Sequence, residues 1–273
     1  MIKYASILLC MAFSAIPMHL YALERETVAV IGTGDMGDSI GPKLAEKGYR
    51  VIYGSRDPSR ESVQDLVRRT GASARATATT QKDAAQKADI VVLVVPWPAM
   101  EKVAQNLGNL DGKILIDVST PIRQAEDGYL ESIVETSSAQ MIQDWNPGAR
   151  VVKTLLASSN VIDDPMTLGG RVTSFVAADD RNAKEVVARF VTDLGLQPLD
   201  AGPLRHAQEI EALARLWFVP VLQKRKQGFE LAVLPSNYWY CIWEDDWYDP
   251  VGDSENLARL PDPEVPPKSC RSE

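Results

Sequence analysis

Apolar positions in this chain gather into short unbroken runs, and these alternate with stretches whose apolar residues recur at helical spacing. Thr27 to Ile31 is a β-branched run without charge, as a strand buried on both faces requires. Arg50 to Tyr53, Asp89 to Val95 and Ile114 to Val118 repeat that character. Between them the spacing predicts helices over Asp35 to Lys47, Glu61 to Thr70, Thr80 to Lys87 and Pro98 to Leu107, the third opened by Thr80 and Asp83 at capping-box spacing. Strands that alternate with crossover helices predict an α/β protein with a parallel sheet, and right-handed crossovers put helices on both faces, a doubly wound arrangement.

Past Arg150 the pattern predicts strands at Val151 to Thr154 and Ser174 to Ala177. A helix follows from about Arg181 to Leu194, then a long amphipathic helix from about Leu204 to Leu222, closed by Pro220 and Gly228. The organisation expected is a nucleotide-type α/β domain over 27–150 and a small C-terminal α/β extension over 151–235. A tail over 236–273 changes character: Trp239, Trp243 and Trp247 recur every four residues among acids, and a polar, proline-rich end follows that reads as disordered.

Composition narrows the chemistry. A net charge of −8 leaves no basic footprint for nucleic acid, so any anion has to be caught by local groups. His19 and His206 are the two histidines, and Cys10, Cys241 and Cys270 lie far apart, so no metal-ligand spacing exists. Cys241 and Cys270 could pair, which spacing does not decide. At the start, Lys3 precedes an apolar run from Tyr4 to about Leu23, interrupted by Pro17 and His19, with Ala22 placed as a small residue before a cleavage point. Residues 1–22 therefore read as an export signal, giving a periplasmic or secreted protein. An uncleaved membrane tether through residues 4–23, or an internal start and a cytoplasmic protein, are the alternatives.

The run Gly32-Thr33-Gly34-Asp35-Met36-Gly37 leaves the first strand and opens the first helix, the context in which a Gly-x-Gly-x-x-Gly turn binds a dinucleotide and which makes the sheet Rossmann-type. Gly32 permits the tight turn, Gly34 lets backbone approach a pyrophosphate and Gly37 allows close helix packing, while the helix N terminus supplies free N–H groups. At the end of the second strand, where NAD enzymes carry an acid for the ribose hydroxyls, stands Ser55, followed by Arg56 and, a turn later, Arg60. An acid would repel a 2′-phosphate; a hydroxyl and two guanidinium groups attract one, so the cofactor indicated is NADP(H). Asp57, beside them, is expected to cap the turn before Pro58. Pro96 and Trp97 end the strongest strand at the carboxyl edge of the sheet, where open α/β sheets bind ligands, and Trp97 is expected to wall the cofactor or to pack in the core.

Together these segments resemble the F420-dependent NADP oxidoreductase family and the related oxidoreductase domain of the STEAP metalloreductases. Gly32 to Gly37, Gly54-Ser55-Arg56 and Val95-Pro96-Trp97 are similar to that family's NADP-contact segments. So are Arg150-Val151-Val152-Lys153 and Leu199 to Leu204, over a span of about Thr27 to Pro235. The resemblance implies NADP contacts from Thr33, Gly34, Asp35, Met36, Ser55, Arg56, Arg60, Pro96 and Asn160, and hydride transfer to coenzyme F420, a flavin or a flavin-linked metal. It also implies a cytosolic protein, at odds with the export signal. Where the F420 enzymes resemble Ala-Leu-His-Thr, this chain reads Thr154-Leu155-Leu156-Ala157, without the histidine.

Hydride transfer between two rings needs alignment more than acid–base help. An imine or hydroxyacid reductase would need a proton donor, for which Lys153 and His206 are the catalytic candidates, and a non-catalytic NADP sensor is the third reading. The partners expected are a small-molecule electron acceptor and, through the aromatic tail, a second copy of the chain.

Overall fold

The computed structural model describes residues 25–71, 76–154, 157–222 and 228–233. The expected export signal with its tether alternative, all three cysteines, His19, the pair Leu155-Leu156 and the aromatic tail lie outside the described residues. Among those described, no helix is long and apolar enough to cross a membrane.

The chain runs β1 (Thr27–Ile31), α1 (Asp35–Glu46), β2 (Arg50–Ser55), α2 (Glu61–Arg69), β3 (Thr77–Thr80), α3 (Gln81–Lys87), β4 (Ile90–Leu93), α4 (Trp97–Gln105) and β5 (Ile114–Asp117). A hairpin of β6 (Ile122–Gln124) and β7 (Leu130–Ser132) comes next. Then follow α5 (Ser138–Trp145), β8 (Arg150–Thr154), α6 (Ser159–Asp163), β9 (Thr173–Ala177), α7 (Arg181–Asp193), β10 (Gln197–Asp200) and α8 (Ala207–Leu222). Eight strands form one sheet in the order β10-β9-β8-β5-β4-β1-β2-β3. Pairing is parallel from β3 through β8, β8 pairs antiparallel with β9, and β10 runs parallel to β9.

Strand period explains why helices cover both faces. In β1, Val28 and Val30 turn to one side and pack with Ile40, Leu44, Tyr53 and Phe190; Ala29 and Ile31 turn to the other and pack with Leu93, Leu115 and Ile142. Val28, Ala29, Val30 and Ile31 are completely buried, so from Val28 on neither face of this strand meets water. Thr80 caps α3 as its spacing predicted, its hydroxyl accepting from the Asp83 N–H at 3.1 Å.

The C-terminal residues continue this sheet. β8 pairs with β5 from Arg150 to Lys153, so the break expected between 150 and 151 falls inside a hydrogen-bonded strand, and β9 and β10 widen the sheet beyond it. Elements without a strong apolar pattern were not foreseen: the short β3, the β6–β7 hairpin, α5, α6 and β10, which carries Pro198.

Candidate functional site

The carboxyl ends of β1, β2, β4 and β5 open onto a cleft of about 950 Å³, bounded by the glycine turn on one side and by Val94 to Pro96 and Val118–Ser119 on the other. The glycines divide the work. Gly32 has φ +122°, and a Cβ there would stand 2.5 Å from the Val94 carbonyl oxygen; one at Gly37 would collide with the carbonyl oxygen of Gly32. Both keep β1, β4 and α1 close together. Gly34 differs: its φ of −90° is ordinary, and a Cβ would meet no protein atom within 4 Å. The space over Gly34 is the cleft itself, at the N terminus of α1, where free N–H groups and the helix dipole favour an anion. The residues present fit a pyrophosphate there. Asp35 and Met36 follow on the first turn of α1, and Thr33 receives the Arg60 guanidinium at 3.4 Å.

At the β2 end, Ser55, Arg56, Asp57 and Arg60 form the rim. The Ser55 hydroxyl is occupied within the turn, donating to the Asp57 carbonyl oxygen at 3.1 Å while accepting from the Asp57 N–H at 3.2 Å. It shapes the turn, and the cationic groups offered to a 2′-phosphate come from the exposed Arg56 and Arg60. Asp57 turns away: its carboxylate accepts from the Ser59 hydroxyl at 2.6 Å and the Ser59 N–H at 3.0 Å, contacts that hold it below the usual carboxylate range.

Several expected residues stand elsewhere. Trp97 opens α4 but faces α5, where its ring stacks on Trp145 with centroids 5.9 Å apart, so it packs between two helices and does not wall the cleft. Asn160 is exposed on α6, a helix that packs against α1, and it does not line the cleft. The His206 Nδ1 lies 2.6 Å from the Ala201 carbonyl oxygen and clips the turn after β10, away from the cleft. Lys153 is buried beneath the floor. Sequence reasoning missed Ser119, Val118, Gln81, Ala99 and Val103, which do line it. For Val118 and Ser119 the signal existed, since both follow a strand at the carboxyl edge of the sheet.

A family model described as NADP oxidoreductase, coenzyme F420-dependent, matches residues 27–121. The F420-dependent NADP reductase of Methanothermobacter thermautotrophicus is 31% identical over 228 residues, which cover 77% of this chain and 96% of that protein. The chain belongs to the F420-dependent NADP reductase family. As a member it is an NADP-dependent oxidoreductase. The rat metalloreductase STEAP3 is 28% identical over 203 residues, and the match spans 73% of this chain but only 39% of that protein. A crystal structure from Arthrobacter sp. FB24, provisionally assigned as an F420-dependent NADP reductase, superposes with a TM-score of 0.66 at 28% identity, over 77% of this chain and all of that one.

Beneath the inner end of this reductase's cleft lies a buried polar cluster. The Lys153 ammonium, on β8, reaches Asp117 Oδ2 at 2.9 Å, Ser138 Oγ at 2.8 Å, Glu211 Oε1 at 3.1 Å and the Ser119 carbonyl oxygen. Ser138 Oγ also donates to Glu211 Oε1 at 2.6 Å and contacts Asp117 Oδ2, and the Ser138 N–H donates to Glu211 at 2.9 Å. With Asp117, Lys153 and Glu211 at most 2% exposed, β5, β8, α5 and α8 are locked together by charges that must stay partnered.

Proposed function

We propose that this protein transfers hydride between NADP(H) and a flavin-type acceptor, coenzyme F420 first among them and a free flavin or flavin-linked metal acceptor next. One observation carries the reading: among the described residues, the titratable ones lining the cleft, Asp35, Arg56, Asp57 and Arg60, all belong to the phosphate-binding end, whereas Leu93, Val95, Ala99, Val103 and Val118 make the inner end apolar. The carboxyl-edge position of the turn and the cationic rim support NADP(H) lying with its phosphates toward Arg56 and Arg60 and its ring toward those apolar residues. When bound, the cofactor supplies the hydride, and the chain supplies alignment and a water-poor wall. No general acid is required for transfer between two rings. An imine or hydroxyacid reductase would need one, and neither of the two candidates for that role, Lys153 and His206, lines the cleft.

The names of the relatives support the acceptor class: M. thermautotrophicus F420-dependent NADP reductase matches over nearly its whole length. The decisive experiment follows NADPH oxidation by the purified protein with F420, FAD, FMN, quinones and ferric chelates offered in turn. Turnover with F420 or a flavin is expected. Turnover confined to imines or 2-oxo acids, or tight NADPH binding with no acceptor reduced, would overturn the reading.

A further inference from the structure

Among the described residues, the apolar inner end of the cleft carries one polar side chain, Ser119, and its surroundings fix what that hydroxyl can do. Ser119 Oγ lies 2.6 Å from Asp117 Oδ1, and the Ser119 N–H donates to the same oxygen at 2.8 Å. A carboxylate accepts only, so the hydroxyl is the donor and its proton is committed. What remains for a ligand is lone pairs. The arrangement cannot relax by rotating, because Asp117 is completely buried and its second oxygen is held by Lys153 and Ser138. Lys153 also binds the Ser119 carbonyl oxygen, clamping the backbone on the other side, and Glu211 of α8 adds a further contact to the ammonium.

We propose that Ser119 Oγ is an obligate acceptor that reads the carboxamide N–H2 of the nicotinamide ring, with Asp117 and Lys153 as positioning residues that hold its polarity. A flat ring carrying an amide donor suits a site that is apolar except for one fixed acceptor. An anchored carboxamide stops the ring from turning over, so the face presented to the acceptor stays constant. This inference rests on the NADP(H) reading above and says which ring substituent the site selects.

The test is calorimetric and needs no turnover. NADP+, its 3-acetylpyridine analogue, whose methyl ketone lacks the N–H donors, and 2′,5′-ADP, which lacks the ring altogether, are titrated into the full chain as wild type, Ser119→Ala and Ser119→Thr. One hydrogen bond predicts that wild type prefers NADP+ over the analogue by about three- to tenfold. Ser119→Ala should bring that ratio close to one, Ser119→Thr should keep it, and 2′,5′-ADP should bind all three alike. A Ser119→Ala protein that retains the preference overturns the proposal. So does one that weakens NADP+, the analogue and 2′,5′-ADP by the same factor, which is what a structural role produces. Wild type binding none of the three would defeat the cofactor reading itself, whereas wild type binding NADP+ and its analogue equally would defeat only the role of Ser119.

Discussion

Substituting Gly34 by valine should separate binding from folding. At this position φ is −90°, a value open to any residue, and a Cβ would point into a space with no protein atom within 4 Å. The folded state therefore pays only for a poorer residue at the head of α1, about 1 kcal/mol or less, which moves the melting temperature by about 2–4 °C in a protein of this size. Binding is another matter. The new isopropyl group would stand where a pyrophosphate must approach the N–H groups of the first turn, and charge-assisted contacts there are worth about 1.5–3 kcal/mol each. Losing one or two of them predicts NADPH binding weaker by at least about tenfold, and by more than about 100-fold if two are lost. Fluorescence titration measures the affinity and thermal melting the stability. Gly32 is the contrasting control: with φ +122° and the Val94 carbonyl oxygen 2.5 Å from a built Cβ, Gly32→Val should lose stability along with affinity. A Gly34→Val protein that melts like wild type and binds NADPH within about threefold of it would refute the placement of the pyrophosphate over this turn, since such a loss is worth under about 1 kcal/mol.

Arg56→Ala should weaken NADPH by about tenfold and leave NADH unchanged, the lower end of the range for a charged contact because Arg56 is exposed to water and salt; equal losses for both cofactors would remove its 2′-phosphate role. Lys153→Met would leave Asp117 and Glu211 buried without their cation, and urea titration should show a loss of about 3–5 kcal/mol, much of it regained when Asp117→Asn and Glu211→Gln are added. A loss under about 1 kcal/mol would mean that the cluster is not held together by charge. Burial pushes the phenol of Tyr53 up to about 12. Because this folded value lies above the unfolded one, its stabilising effect is complete below about pH 10 and is lost as pH rises toward 12, a change of up to about 2–3 kcal/mol. Tyr53→Phe should flatten the fall in stability over that window, and a slope as steep as wild type would rule the linkage out.

What could be read in advance follows the physics of each segment. The bounds of β1 were readable to the residue because a charge-free β-branched run has no other stable place than a sheet covered on both sides. β4 was expected to reach Val95 but ends at Leu93: Pro96 has no N–H to continue a ladder, and Val94 and Val95 leave the sheet to form the wall of the cleft. The strand β3, Thr-Ala-Thr-Thr at an edge, has no buried stripe to betray it. Local chemistry placed Gly32 to Met36, Ser55, Arg56, Arg60 and Pro96 around one cleft because each is fixed by its own turn. Trp97 and Lys153 were ambiguous for the opposite reason. Their surroundings, Trp145 in one case and Asp117, Ser138 and Glu211 in the other, come from distant parts of the chain, and only the completed sheet brings them within reach.

The reversal of direction at β9 has an effect on how this protein can change. All strands from β3 through β8 present their carboxyl ends to one edge, and the dinucleotide turn, the cationic rim and Ser119 are built there from β1, β2, β4 and β5 alone. β9 and β10 run the other way and join this frame along an antiparallel seam, Lys153 with Ala177 and Thr154 with Val176, while α6 packs back onto α1, Phe190 of α7 fills the core under β1, and Glu211 of α8 binds Lys153. Changes confined to β9 and β10 leave untouched the pairing among β3, β2, β1, β4 and β5, whereas a change at Glu211 of α8 would reach Lys153 and, through it, Asp117 and Ser119 at the edge of the cleft.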